Sequence, residues 1–164
     1  MKMKTTFDSH LQNFIFSMLI MVGLFYPTGI AHELGHGLVC VTEGGEFLWD
    51  WVFLKLALLC NPFPEHKELS WAMGGIFGLI ASLVPVLVFS FLRKHRVILN
   101  GFLGCAFMQL GYSIFESQKN EQYRVNDLEV ILPIALMGTL AVIFFTLYIE
   151  KLSKYSIRRN PENS

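Results

Sequence analysis

The stretch "LQNFIFSMLIMVGLFYPTGIAHELGHGLVCVT", Leu11 to Thr42, decides how this chain is read. Its only Asp, Glu, Lys or Arg is Glu33. About 20 apolar residues in a helix cross a hydrocarbon core of about 30 Å, so the run is long enough to span a membrane. Yet His32, Glu33 and His36 stand inside it, where ionisable groups are costly and mark function. Pro27-Thr28-Gly29 interrupts the run, which predicts one bent span, or a span followed by a second helix carrying the histidines.

Outward from this stretch, Ser70 to Leu92, Val97 to Phe115 and Val130 to Ile149 contain no Asp, Glu, Lys or Arg, and each has the length of a span. The chain is 53% hydrophobic and 16% charged, against about 25% charged for soluble domains. The expected fold is an all-α polytopic membrane protein, one domain over 1–164, with about four transmembrane helices at 11–42, 70–92, 97–115 and 130–149 and a frayed polar tail at 151–164. Between the first two spans, "GGEFLWDWVFLKLALLC" is too short and too charged to cross. It predicts an interfacial helix or a short hairpin, with Trp49 and Trp51 at headgroup level. Lys2 and Lys4 ahead of Phe14 to Phe25 resemble part of a signal peptide, but no small-residue cleavage site follows, so an anchor is expected.

Basic residues suggest the topology. Placing both termini and the Arg93-Lys94-His95-Arg96 turn on one side puts nine Lys and Arg there and four on the other. The positive-inside rule then predicts a multi-pass protein of the cell membrane with both termini cytoplasmic. Zero net charge argues against a nucleic-acid partner. Cys40, Cys60 and Cys105 are odd in number and lie in or beside apolar runs, so they read as small buried hydrophobes rather than a disulfide framework.

His32 and His36, four residues apart, share one helix face a turn apart, so both imidazoles can reach one zinc ion at about 2.0–2.1 Å. Glu33 is rotated off that row, placed to accept a proton from a water activated by the metal. Gly35 and Gly37 remove bulk beside His36, for close approach of a substrate backbone or for ordinary packing between spans. Catalytic zinc takes three protein ligands plus water. By span parity, the third should lie where the third span ends or the fourth begins. Asp127 is the first choice and Glu116 the second; Asn126 and Asp127 also suit helix capping. Cys40 continues the histidine row but reads as packing, and His10, His66 and His95 as solvated.

At these residues the chain resembles the site-2 protease family of intramembrane zinc metalloproteases. "AHELGHGLVC" matches the family's His-Glu-x-x-His helix, and "GGIFGLIASL" (Gly74 to Leu83) resembles its Gly-rich middle span without the Pro-Asn element. "VNDLEV" offers an adjacent Asn and Asp, without the Pro and Gly of the family's second motif. The resemblance implies zinc held by His32, His36 and Asp127, with Glu33 as general base. It also implies a membrane-spanning or membrane-proximal protein segment as substrate, aligned as an added strand by Glu46 to Cys60. In known relatives the site lies toward the cytosol, whereas the charge count here puts it on the opposite face. The expectation is therefore a zinc-dependent intramembrane endopeptidase in the lipid bilayer, with room for a regulatory membrane partner. The alternatives are a non-catalytic metal-binding relative and a multi-span scaffold.

Overall fold

The computed structural model describes residues 3–52, 55–118 and 128–159. It is mostly helical. Helix α1 covers Met3–Thr42, α2 Lys67–Val88, α3 Ser90–Lys94, α4 Arg96–Gln118 and α5 Leu128–Arg159, with strands β1 (Glu46–Val52) and β2 (Lys55–Asn61) between α1 and α2. Among the described residues, three helical segments are long and apolar enough to cross a membrane: Ser9–Thr42, Lys67–Val88 and Arg96–Glu116. A shorter apolar segment, Leu132–Tyr148, lies within α5. The outward surface is apolar, with Phe16, Leu19, Val22, Leu87, Leu132 and Phe144 all more than half exposed, as lipid-facing positions are.

Of the two forms expected for the first run, the single helix is the one found: α1 continues through Pro27. Proline removes one backbone donor, which neighbouring helices and Ser/Thr hydroxyls re-satisfy in apolar surroundings. The carbonyl freed by Pro27 is that of Gly23; the Thr28 hydroxyl donates to the next one, Leu24, at 2.8 Å. The expected second span ends early. Phe89 turns extended after Val88, and Arg93 Nη1 donates to the carbonyls of Val86 (2.9 Å) and Leu87 (2.5 Å). Helix ends require such partners for their last carbonyls.

The tail departs from expectation. Helix α5 runs on to Arg159, because no helix breaker occurs between Lys151 and Pro161.

Helix α4 packs against α1, α2, α3 and α5. Met21 of α1, Cys105 and Met108 of α4, and Ile134 and Val142 of α5 form the buried apolar cluster. Polar bridges supplement it, since lipid gives helices no hydrophobic drive to associate. Gln109 Nε2 donates to Thr28 Oγ1 (3.0 Å), Ser113 Oγ to the Ala72 carbonyl (3.1 Å) and Ser17 Oγ to the Val97 carbonyl (3.1 Å). Small residues admit the closest approach: a Cβ on Gly75 would overlap the Ser113 backbone.

The loop between α1 and α2 is the hairpin rather than the helix. β1 and β2 pair antiparallel from Glu46↔Asn61 to Val52↔Lys55. This return brings Cys60 back to the end of α1, where it forms a disulfide with Cys40. The reading of these two cysteines as isolated hydrophobes is thereby corrected; Cys105 alone is free and buried. Gly45 lies against the bridge, and a Cβ there would come within 2.9 Å of both sulfurs. Glu43 ties the hairpin's base to α2. Its carboxylate accepts from Glu65 N (2.6 Å) and from His66 Nδ1 (2.9 Å), so His66, though exposed, is paired rather than simply solvated.

Two outcomes are expected. Gly75→Ala lowers stability by about 1–3 kcal/mol, the usual cost of overpacking. This is read as an earlier unfolding midpoint in detergent, whereas Gly23→Ala, where a Cβ would meet nothing within 4 Å, leaves the midpoint unchanged. Acid opens the Glu43 clip. Desolvation pushes this carboxyl up, but the His66 side chain and the Glu65 and His66 amides outweigh it and hold its pKa below the usual glutamate value. The clip therefore contributes fully above that usual value and is lost as pH falls through the depressed one. Protection of the Glu65 amide from hydrogen exchange should fall over that window in the native chain and show no such step in Glu43→Gln.

Candidate metal centre

The antiparallel run of α1, α2 and α4 brings the end of α1, the start of α2 and the end of α4 to one end of the bundle. There the helical repeat places His32 and His36 on one face of α1, and Glu116 meets them from α4. Their tip atoms converge. His32 Nε2 lies 3.1 Å from His36 Nε2 and 3.1 Å from Glu116 Oε2, and His36 Nε2 lies 3.7 Å from the same oxygen. Ligands at about 2.0–2.1 Å in tetrahedral array around zinc stand about 3.3 Å apart, so this triangle has the size of three ligand positions. His32 and Glu116 are 6% and 5% exposed, and burying such groups without compensation is expensive. A single proton can bridge one pair among three such atoms; a divalent cation can engage all three. The group can therefore hold a metal ion.

Space for the ion comes from α2. A Cβ on Gly74 would fall 2.5 Å from His36 Nε2 and 2.9 Å from His32 Nε2, so any side chain there would fill the cradle. Gly35, behind the histidines, meets the Met73 carbonyl so closely that a Cβ would overlap it. The Gly-rich motif of α2 thus faces the His-Glu-x-x-His turn, with Gly78 making room for Gln109.

The surrounding polar groups orient the ligands, as partners of metal-bound imidazoles commonly do. His36 Nδ1 lies 3.4 Å from Ser70 Oγ. Gln109 is held to Thr28 by its amide nitrogen, which donates to Thr28 Oγ1. His32 Nδ1 and Gln109 Oε1 are both buried without a well-formed hydrogen bond, a complementary donor and acceptor. Tyr112 packs edge-on to the His32 ring at 5.2 Å between centroids. Sequence reading missed Gln109 and Ser70. Gln109 carried one signal, an amide in the middle of an uncharged span whose other amide, Asn100, lies near the span's start.

Glu33 is off the ligand row, as its position next to His32 predicts. Its Oε2 accepts a hydrogen bond from Leu58 N of β2 at 2.9 Å. The Leu58 side chain also lies over Gly37, where a Cβ would come within 2.8 Å of it. The hairpin is therefore seated directly on the motif. Asp127 and Asn126 lie outside the described residues. Glu116, the second choice from sequence, is the carboxylate found beside the histidines. Cys40 serves the disulfide and is not a candidate ligand.

Compared with protein-family models, curated proteins and solved structures, the chain matches none. What the fold and site define is a helical protein of membrane type with a buried His-His-Glu group able to take a metal ion.

Glu116→Ala is expected to lower zinc affinity by more than about 100-fold, beyond the loss usual for outer-shell partners. Chelator competition on the full chain in detergent measures it, with Asp127→Ala run beside it and expected to lose less.

Proposed function

We propose that the chain is a zinc-dependent endopeptidase working within the membrane on a membrane-spanning or membrane-proximal protein segment. One observation carries this reading. Three donor atoms converge at ligand spacing while a fourth ionisable group, Glu33, stands beside them but off the row, bonded elsewhere. A pure binding site does not require that carboxylate.

His32, His36 and Glu116 would hold the ion, with the gap left by Gly74 open to water and substrate. The ion would polarise the scissile carbonyl and lower the pKa of water toward about 7. Glu33 takes the proton of the attacking water and passes it to the leaving amine as the carbon–nitrogen bond breaks. The His36 ring is oriented by Ser70 and the His32 ring is packed edge-on by Tyr112, which would limit how far the ligands swing during the reaction. The hairpin contributes by position. β2 turns toward α1, where Leu58 N meets Glu33, leaving β1 as the edge on which an extended substrate segment would pair through its backbone.

The site opens, on this reading, on the face opposite the termini. Two independent features support that orientation. One is the excess of basic residues at the other end. The other is the Cys40–Cys60 disulfide beside the site, since disulfides persist in oxidising compartments outside the cytosol.

A second reading is favoured by one contact. The Leu58–Glu33 hydrogen bond gives the carboxylate a structural task, which suits a non-catalytic metal-binding membrane protein. Glu33→Gln separates the two. Under the enzymatic reading the variant keeps its zinc and loses cleavage of a tagged single-span test protein by about 10²–10⁴-fold, the usual share of a general base. Equal cleavage by variant and native chain would remove Glu33 from the reaction, and absence of cleavage by a zinc-loaded native chain would favour the binding protein.

A further inference from the structure

The Cys40–Cys60 disulfide joins β2 to the face of α1 that carries the metal ligands. Cys40 stands one turn beyond His36 on the row that begins with His32. Cys60 stands two residues beyond Leu58, whose amide donates to Glu33. The contacts that the bridge holds in place are few. Leu58 N gives one hydrogen bond to Glu33 Oε2 at 2.9 Å, and the Leu58 side chain lies over Gly37 with Phe47 beyond it. The Glu43 clip joins the two ends of the loop rather than its strands. One hydrogen bond shifts an equilibrium by roughly tenfold at most. A bridge across a sequence separation of 20 shifts it by up to roughly 100-fold in the chain-entropy account. The covalent tie therefore outweighs the hydrogen bond it supports.

The bridge is also open to exchange from one side. Cys40 is fully buried, whereas Cys60 is partly exposed, and thiol–disulfide exchange depends on such access. A dithiol reductant attacks there. Its first sulfur bonds to the Cys60 sulfur, the sulfur–sulfur bond breaks, and Cys40 leaves as a thiolate and takes a proton. The second sulfur of the dithiol then displaces Cys60 as a thiol. The protein gains two electrons and two protons, and the dithiol is oxidised to a disulfide.

We propose that this disulfide is a redox switch on the site. Oxidised, it seats β2 on Glu33 and Gly37; reduced by a dithiol, it lets the hairpin leave the motif and turns the site off. Once unseated, Glu33 loses the Leu58 amide that fixes its carboxylate, and a two-stranded ribbon released from its support is marginally stable in water. The effect on activity rests on the endopeptidase reading; the movement of the hairpin does not.

Hydrogen exchange on the zinc-loaded full chain in detergent tests the movement. The Leu58 amide reports seating, because it bonds to α1 rather than to the partner strand. It should exchange about tenfold or more faster after dithiothreitol treatment than in the oxidised chain, and return to the slow rate on reoxidation with oxidised glutathione, the shift expected when a local contact opens. The double variant Cys40→Ala/Cys60→Ala should show the fast rate with or without reductant. Zinc content, measured alongside, should stay the same, which separates unseating from extraction of the ion by the dithiol. Cleavage of the tagged single-span test protein should fall by about tenfold or more on reduction, in step with the loss of the seated form. An unchanged Leu58 exchange rate on reduction would overturn the switch. So would faster exchange with undiminished cleavage, since the movement would then control nothing. Absence of cleavage by the zinc-loaded oxidised chain would overturn the endopeptidase reading instead, and the seating role of the bridge would stand or fall on the exchange rates.

Discussion

Three ionisable side chains share one buried point in a bundle whose outer surface is apolar, and the remainder of the structure is arranged around that cost. Two imidazoles and a carboxylate would be strongly unfavourable there as unpaired groups. Their tips nevertheless stand within about ligand spacing of one another. Each neighbour can be understood from this requirement. Gly74 removes the atoms that would occupy the ion's place, and Gly35 lets α1 and α2 close upon it. Ser70 faces the second nitrogen of the His36 ring, and Tyr112 packs edge-on to the His32 ring. The centre depends on contacts between α1, α2 and α4 that bring together residues up to 84 positions apart, from His32 to Glu116.

The hairpin adds a second constraint. A two-stranded ribbon is marginally stable alone in water. Here it is fixed at three places: the disulfide to Cys40, the Leu58–Glu33 hydrogen bond, and the Glu43 carboxylate that ties α1 to the start of α2. It therefore sits on the His-bearing end of α1, with Leu58 against Glu33 and Gly37. Motif and hairpin behave as one structural unit.

Much of this was legible in the sequence, for identifiable reasons. Helices announce themselves through long uncharged runs, and the His-Glu-x-x-His spacing maps directly onto one turn, because both signals are local. The hairpin and an interfacial helix were equally compatible with Glu46 to Cys60, since its apolar residues fit either period over so short a run. The Cys40–Cys60 bridge was hidden by an odd cysteine count and apolar flanks; only the antiparallel return of the chain brings the two together. Glu116 ranked behind Asp127 because parity alone places both at the same face, and choosing between them requires knowing which α4 side chains turn inward. Gln109 was missed because an amide in a span has several roles, which only its neighbours distinguish.

The length of α1 has a consequence for the surrounding lipid. Its run from Leu11 to Thr42, with Glu33 as the one Asp, Glu, Lys or Arg, covers 32 residues, against 22 and 21 in the membrane-crossing stretches of α2 and α4. At 1.5 Å per residue these are about 48 Å and about 32–33 Å. A bilayer that matches the two shorter helices cannot also match the first. Hydrophobic mismatch of this size is relieved by tilt or by local thickening of the membrane. Either response places the greatest distortion of the bilayer beside the one helix that carries the histidines.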